Sequence, residues 1–406
     1  MLAPIAYLTC ELKGRDLASR LLIASSLADR GYHVIVGQQW AIFSNLRACL
    51  KGVVLFKTAN KTQGDWMVEA RSNGHVVAAS DEECLASAPN DYARLTHPVA
   101  AEACHTYLAL NDLHAAAIKA AYPGAAHKVI VAGNARVDIL RALRPPRPIP
   151  EPYILINTSF GRTNHVSGDI QKAVNIWLGS GGHEKNAETE NMVRERLSFE
   201  KRAMAETIAL IEWLIANTQS QIVIRPHPAE RSEKWTTLFQ GNARVHVVVG
   251  SDPTPWIRHA TLLVHSESTT GVEAAIMGAK VLNLSPASSW GERLVVAQAN
   301  VTVDSATAAA ELVAALLRTG EWPPSKQDIG ALYPTKGAEK TAAALAEHLP
   351  PPQRPRGGFQ WHTIHRTDEQ REKFTVSHDE ARALTQHTTT QIDDSVFLIS
   401  PRAGKA

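Results

Sequence analysis

The chain has 406 residues, of which 44% are hydrophobic and 20% charged, and its formal net charge is +2. That length exceeds what one ordinary core organises, so two domains are expected, and the apolar content is that of a globular protein. The near-neutral balance gives no basis for a nucleic-acid partner.

Four cysteines, Cys10, Cys49, Cys84 and Cys104, lack a CxxC pair and histidines at zinc spacing, so they read as reduced structural thiols. The N-terminal segment has no basic stretch followed by a long apolar run, and no later stretch approaches about 18 uncharged apolar residues. The expectation is a cytoplasmic protein without a signal peptide or membrane span.

The first segment reads strand, helix, strand: "PIAYLTC", then "DLASRLLIASSLADRG" closing on Gly31, then "HVIVG". "GVVLFK", "HVVAAS", the helical "DLHAAAIKAAYPG" and "KVIVAG" continue the alternation, which predicts a parallel sheet covered by helices. Within this first domain, residues 1–147, "HVVAASDEECL" leaves its strand through Asp81, Glu82 and Glu83. Acids at a strand end are ordinarily solvated; packed together they raise one another's pKa, which suits a general base. In "VIVAGNARVDIL", Arg136 and Asp138 read either as an ion pair at a helix start or as a further acid for catalysis.

The proline-rich "RALRPPRPIPEP" is a stiff connector and marks a boundary. A second domain, residues 152–330, opens with "YILINTS", a strand ending in Asn157, Thr158 and Ser159 ahead of Gly161. A polar insertion from about Val166 to Ser198 precedes the helix "EKRAMAETIALIEWLIANT". The strand "QIVIRPHP" then ends on Arg225, His227 and Pro228. Its prolines fix φ and remove backbone donors, so His227 is held with little freedom; it can cap a loop carbonyl, or donate to a phosphate oxygen with Arg225 adding charge.

In "LLVHSESTTGVEAAIMG", Ser266, Ser268, Thr269 and Thr270 lead into a helix starting near Gly271. One hydroxyl there is a plain N-cap, whereas several with free N–H groups form an anion site. Glu273 in the first turn either favours the helix dipole or reaches the hydroxyls of a ribose. Together these loops predict a nucleotide-phosphate pocket without a metal, because the second domain has no DxD pair at a strand end. Residues 331–350 read as a helix packing back, and residues 351–406 as a poorly packed or oligomer-contacting tail.

Taken in order, "ELKGRD", "DEEC", "GNARVDIL", "ILINTSFGRTN", "RPHP" and "SESTTGVEAAIMGAKVL" resemble bacterial surface-carbohydrate biosynthesis proteins related to CMP-ulosonic acid glycosyltransferases. The resemblance covers roughly residues 5 to 300 and implies an α/β GT-B fold, two Rossmann-like domains facing a central cleft. Acceptor would bind the first domain and donor the second. The family's acidic motif maps to Glu82-Glu83-Cys84, with Cys84 where glycine is usual; its HP motif maps to His227-Pro228 and its Ser/Thr motif to Ser268-Thr269. It further implies a metal-independent transferase with no cofactor, a CMP-activated Kdo-like or sialic-acid-like donor, and a polysaccharide or glycolipid acceptor. Peripheral contact with the inner membrane is compatible with such an acceptor. A carboxylate nucleophile, if the reaction retains configuration, would come from the acid cluster or from Asp138. CDP-glycerol and related polyol-phosphate transferases share "GNARVDIL" and "RPHP", but the acceptor-side histidine motif of that family has no counterpart here. An inactive GT-B-like scaffold is the remaining alternative.

Overall fold

Uncharged, β-branched runs that end in small polar residues become the central strands of two sheets, because a parallel strand covered on both faces has no use for alternation. The computed structural model describes residues 4–87, 89–180, 186–250, 252–287, 300–324, 329–347 and 361–402. The chain forms two units, Met1–Ala142 with Gly330–Ala406, and Leu143–Ile329. The first break falls at the start of the proline-rich connector.

In the first unit the elements run β1 (Ile5–Cys10), α1 (Lys13–Ala28), β2 (His33–Gln38), α2 (Gln39–Asn45), β3 (Val53–Phe56), α3 (Lys61–Ser72), β4 (Val76–Ser80), α4 (Pro98–Ala103), β5 (Thr106–Ala109), α5 (Asp112–Ala121), β6 (Val129–Val131) and α6 (Ala135–Ala142). Strands β2-β1-β3-β4-β5-β6 are parallel neighbours. One face packs Leu8, Val34 and Val36 against Leu17, Leu21 and Ala24 of α1, and the other packs Tyr7, Ile35 and Phe56 against Phe43 and Met67.

The second unit continues with β7 (Tyr153–Asn157), α7 (Ile170–Ser180), α8 (Ala187–Asn217), β8 (Gln221–Arg225), α9 (Ser232–Leu238), β9 (Val245–Val247), α10 (Pro253–His259), β10 (Leu262–His265), α11 (Thr269–Ile276), β11 (Val281–Leu284), β12 (Val301–Val303) and α12 (Ala306–Thr319). Its sheet, in the order β12-β11-β10-β7-β8-β9, is parallel throughout. The expected polar insertion is corrected here: it contains α7 and the first turns of α8. Asn186 starts α8 by accepting the Thr189 N–H, and Glu188 and Glu190 suit the helix dipole, so a polar composition conceals a capped helix.

The remaining chain belongs to the first unit. Helix α13 (Gly337–Glu347) buries Ala338, Ala342 and Leu345 in the same core as Leu21 and Ala24. After α14 (Asp368–Lys373) and α15 (His378–Ala383), strands β13 (Thr388–Asp393) and β14 (Val396–Ser400) form an antiparallel hairpin. Strand β14 pairs with β2 and extends the first sheet to eight strands.

This corrects the expectation of a poorly packed tail. Phe374, Val376, Phe397 and Ile399 are buried, and Asn45 exchanges two hydrogen bonds with His362. The hairpin signal lies in "TTTQIDDSVFLIS", with Ser395 at φ 58 in the turn. Among the described residues no helix is long and apolar enough to cross a membrane.

Candidate functional site

Parallel pairing in the second unit aligns the carboxyl ends of four strands: Asn283 of β11 beside His265 of β10, His265 beside Asn157 of β7, and Asn157 beside Arg225 of β8. The three loops singled out by the sequence therefore leave the sheet side by side, where open α/β sheets bind ligands.

Glu230, which the sequence reading passed over, ties two of these loops together. Its Oε1 accepts the Thr158 hydroxyl at 2.7 Å and the N–H groups of Phe160 at 2.8 Å and His227 at 3.3 Å. Its Oε2 accepts the Trp235 indole N–H at 3.1 Å. The His227 ring accepts the Ala229 N–H at Nδ1, 3.1 Å away, which leaves Nε2–H as the donor of the neutral ring. Desolvation of the ring lowers the His227 pKa, Arg162 adds to that, and Glu230 and Glu200 oppose it. At neutral pH His227 is thus a neutral donor held by prolines and a buried carboxylate.

Glu200 of α8, equally invisible in the sequence, positions the cations. It accepts from Arg162 Nη1 at 2.8 Å, Arg196 Nε at 3.1 Å and the N–H groups of Arg162 and Thr163 at 3.1 Å. Burial lowers the Arg196 pKa to about 10, with Glu200 as the main opposing charge, so the side chain stays cationic at neutral pH. The Arg162 guanidinium stacks on Trp177, 4.4 Å from the ring centre.

At the third loop Ser268 is the N-cap of α11: its hydroxyl accepts the Thr270 N–H and donates to the Thr270 hydroxyl. The Ser159 hydroxyl donates to the Ser266 carbonyl, tying the β7 and β10 loops. Gly271 lets α11 start close to the sheet, since a Cβ there would sit 2.1 Å from His265 Nε2. His265 itself is buried and held neutral, its pKa lowered by burial to about 3, and accepts the Ser268 N–H at Nδ1.

These loops, with α7 and α8, enclose a cavity of ≈ 420 Å³ whose wall includes Ser159, Arg162, Arg196, His227, Glu267 and Thr269, with Ser268 and Trp177 beside them. Of the residues expected at a nucleotide, Ser159, His227, Ser268 and Thr269 line it. Asn157 and Thr158 are buried at the strand end beneath, and Arg225 is half-buried there. Pro228, Thr270 and Glu273 lie outside the lining. Its cationic wall and helix start suit a phosphate. The arginines were missed because Arg162 and Arg196 lie in and beside the stretch read as a polar insertion.

In the first unit the three acids have different surroundings. Glu82 is buried and meets Arg20 Nη2 at 2.8 Å, next to Asp16 and Lys57. Burial pushes its pKa up while Arg20 pulls it down, and the net shift is upward. Glu83 is exposed and pairs with Arg15 at 2.9 Å. Asp81 is 5% exposed, and burial raises its pKa to about 7. Two of the three are therefore buried groups, not a solvated strand end. Asp138 accepts the Ala338 N–H at 2.9 Å and so caps α13, while Arg136 reaches the Gly14 and Arg15 carbonyls.

No family model and no curated protein sequence matches the chain. Solved structures do. A UDP-GlcNAc 2-epimerase from Methanocaldococcus jannaschii aligns over 85% of this chain and 99% of its own, at 13% identity and a TM-score of 0.54. An S. aureus protein, MnaA, solved with UDP aligns over 84% and 95%, at 11% identity and a TM-score of 0.52. A UDP-GlcNAc 2-epimerase from Neisseria meningitidis, solved with UDP-GlcNAc, aligns over 84% and 99%, at 13% identity and a TM-score of 0.50. Two α/β units, each built on a mainly or wholly parallel sheet covered by helices, give the chain a GT-B-like fold.

Proposed function

We propose that this chain is an enzyme acting on a nucleotide-activated sugar, with the nucleotide phosphate in the cavity of the second unit. The observation that carries the reading is the convergence of three strand-end loops on one pocket lined by Arg162, Arg196, His227 and the start of α11. Within that class, the motifs favour transfer of an ulosonic acid of Kdo or sialic-acid type from a CMP-activated donor to a polysaccharide or glycolipid acceptor. The arginines and the helix dipole offset the phosphate charge without a metal. His227 donates one neutral hydrogen bond. The likeness to epimerases solved with UDP or UDP-GlcNAc favours a second reading, epimerisation of a UDP-sugar.

A thermal-shift panel of CMP, CDP, UDP and GDP, each with and without EDTA, separates these readings. Stabilisation by CMP, unchanged by EDTA, is the expected result. Stabilisation by UDP, with interconversion of UDP-GlcNAc at C2, would move the assignment to epimerisation, and CDP-glycerol turnover would move it to polyol-phosphate transfer. No shift with any nucleotide would sink the reading. His227→Ala is expected to weaken CMP binding by roughly 2- to 10-fold, the worth of one neutral hydrogen bond.

The first unit supplies the acids for the chemistry in this reading. Glu82→Gln or Glu83→Gln, whichever removes the reacting carboxylate, lowers turnover by ~10² and leaves CMP affinity intact. A sugar-protein adduct in intact mass marks a nucleophile, and its absence marks a base. Near-wild-type turnover in both variants and in Asp138→Asn would remove these carboxylates from the mechanism.

A further inference from the structure

Glu267 stands in the wall of the cavity with three features that a residue placed only for folding does not need. Its φ is +47, one of three non-glycine residues among those described with positive φ, in a region where a glycine costs nothing and a glutamate costs about 1 to 2 kcal/mol. Its side chain is locked: the Asn283 amide donates to Oε1 at 2.8 Å, and the Asn283 oxygen accepts the Glu267 N–H at 3.0 Å. And although the residue is only 5% exposed, Oε2 meets no donor at good hydrogen-bond geometry among the described residues, the Ser285 hydroxyl being the nearby group that also pulls on the carboxyl. A strained, clamped carboxyl group with an unused oxygen at a pocket wall points to a ligand.

The surroundings decide which form of the carboxyl meets an anion. Arg162, His165, Arg196 and His227 share the cavity wall with Glu267, Glu200 of α8 pairs with the two arginines, His265 lies beneath, and Glu273 stands further along α11. Burial raises the Glu267 pKa against the pull of Asn283, Ser285 and Arg196. A phosphate brought alongside adds a like charge and raises it further.

We propose that Glu267 meets the bound nucleotide as a neutral carboxylic acid whose Oε2–H donates to a phosphate oxygen, so that nucleotide binding takes up one proton. This rests on the nucleotide reading of the cavity and adds a contact and a pH dependence to it. The sign follows from linkage: the carboxyl pKa is higher in the complex than in the free protein. Affinity is therefore full below the free pKa and falls by up to about tenfold per pH unit between the two values.

Titration calorimetry with CMP, and in a second series with UDP, in buffers of different ionisation enthalpy from pH 6 to 8.5 counts the protons. The wild-type protein is expected to take up about one more proton per nucleotide than Glu267→Gln, whose amide always donates. The variant should lose less affinity than the wild-type protein as pH rises. The nucleotide phosphate titrates alike in both proteins, so their difference is the measure. Should the variant fold poorly, infrared difference spectra of the wild-type protein give a second readout, a protonated-carboxyl band that appears or shifts on nucleotide addition. Equal proton uptake in both proteins, or no such band, overturns the role of Glu267 and leaves the nucleotide reading standing. No binding of either nucleotide to the wild-type protein overturns both.

Discussion

Replacing Glu200 with alanine is expected to lower the stability of the protein by about 3 to 5 kcal/mol and, on the proposed nucleotide reading, to abolish nucleotide binding. The side chain is 1% exposed and is the carboxylate shared by Arg162 and Arg196. Removing it takes from the guanidinium of Arg196, itself 6% exposed, its main counter-charge, and frees the N–H groups of Arg162 and Thr163. A pair broken on one side costs more than the pair contributes, because the remaining charge stays desolvated. Glu200→Gln retains the shape and loses the charge, so its loss should be smaller. Urea denaturation gives the stability and calorimetry with CMP the binding. A Glu200→Ala protein within about 1 kcal/mol of wild type would show that Arg196 reaches solvent and that the network has been misread.

Asp81→Asn is expected to do the opposite and stabilise the protein by about 4 kcal/mol at pH 8, with no difference between the two proteins below about pH 4. The folded pKa of Asp81 is raised to about 7 from an ordinary value of 3.8, by burial first and by Glu83 and Glu82 next. Below the unfolded value both states hold the proton and nothing is lost. As pH rises from about 4 to about 7 the unfolded chain ionises while the folded one resists, so stability falls by about 1.4 kcal/mol per unit and then levels off. Asparagine has no proton to lose, and its Oδ1 can still accept the Glu83 N–H now held at 3.0 Å. Coincident urea midpoints for the two proteins at pH 8 would refute a neutral Asp81. A stabilised variant with lost turnover would add Asp81 to the reacting acids, since a carboxyl that titrates near neutral pH suits a general base.

The strands of both units and the loops that line the pocket were legible because their signals are local. An uncharged run followed by "NTS", "RPHP" or "SESTT" specifies a buried parallel strand and a polar exit within ten residues. The carboxylates that organise those exits were not. Glu200 reads as the first residue of a helix and Glu230 carries no local signal; each acquires its meaning from partners fixed only by tertiary structure. Glu267 lay in plain view between two serines, but its positive φ and its clasp with Asn283 depend on the neighbouring strand. Low hydrophobicity hid the tail, where Thr388 to Gln391 alternate toward solvent while Val396, Phe397 and Ile399 enter the cores. Polar composition likewise hid the start of α8, whereas α7, "IQKAVNIWLGS", carries an apolar face that was passed over amid its polar flanks.

The pairing of β14 with β2 has a consequence for the order of events during synthesis. His33 Nδ1 meets Ser400 Oγ at 3.1 Å across 367 residues of sequence. A ribosome that has made the whole of the second unit has therefore not yet released the strand that covers β2. Until it does, the row of N–H and C=O groups on one side of Val34, Ile35 and Val36 is an open edge, able to pair with another nascent chain. The sheet begun first is thus closed late: its β2 edge stays open until the hairpin that follows the second unit has been made.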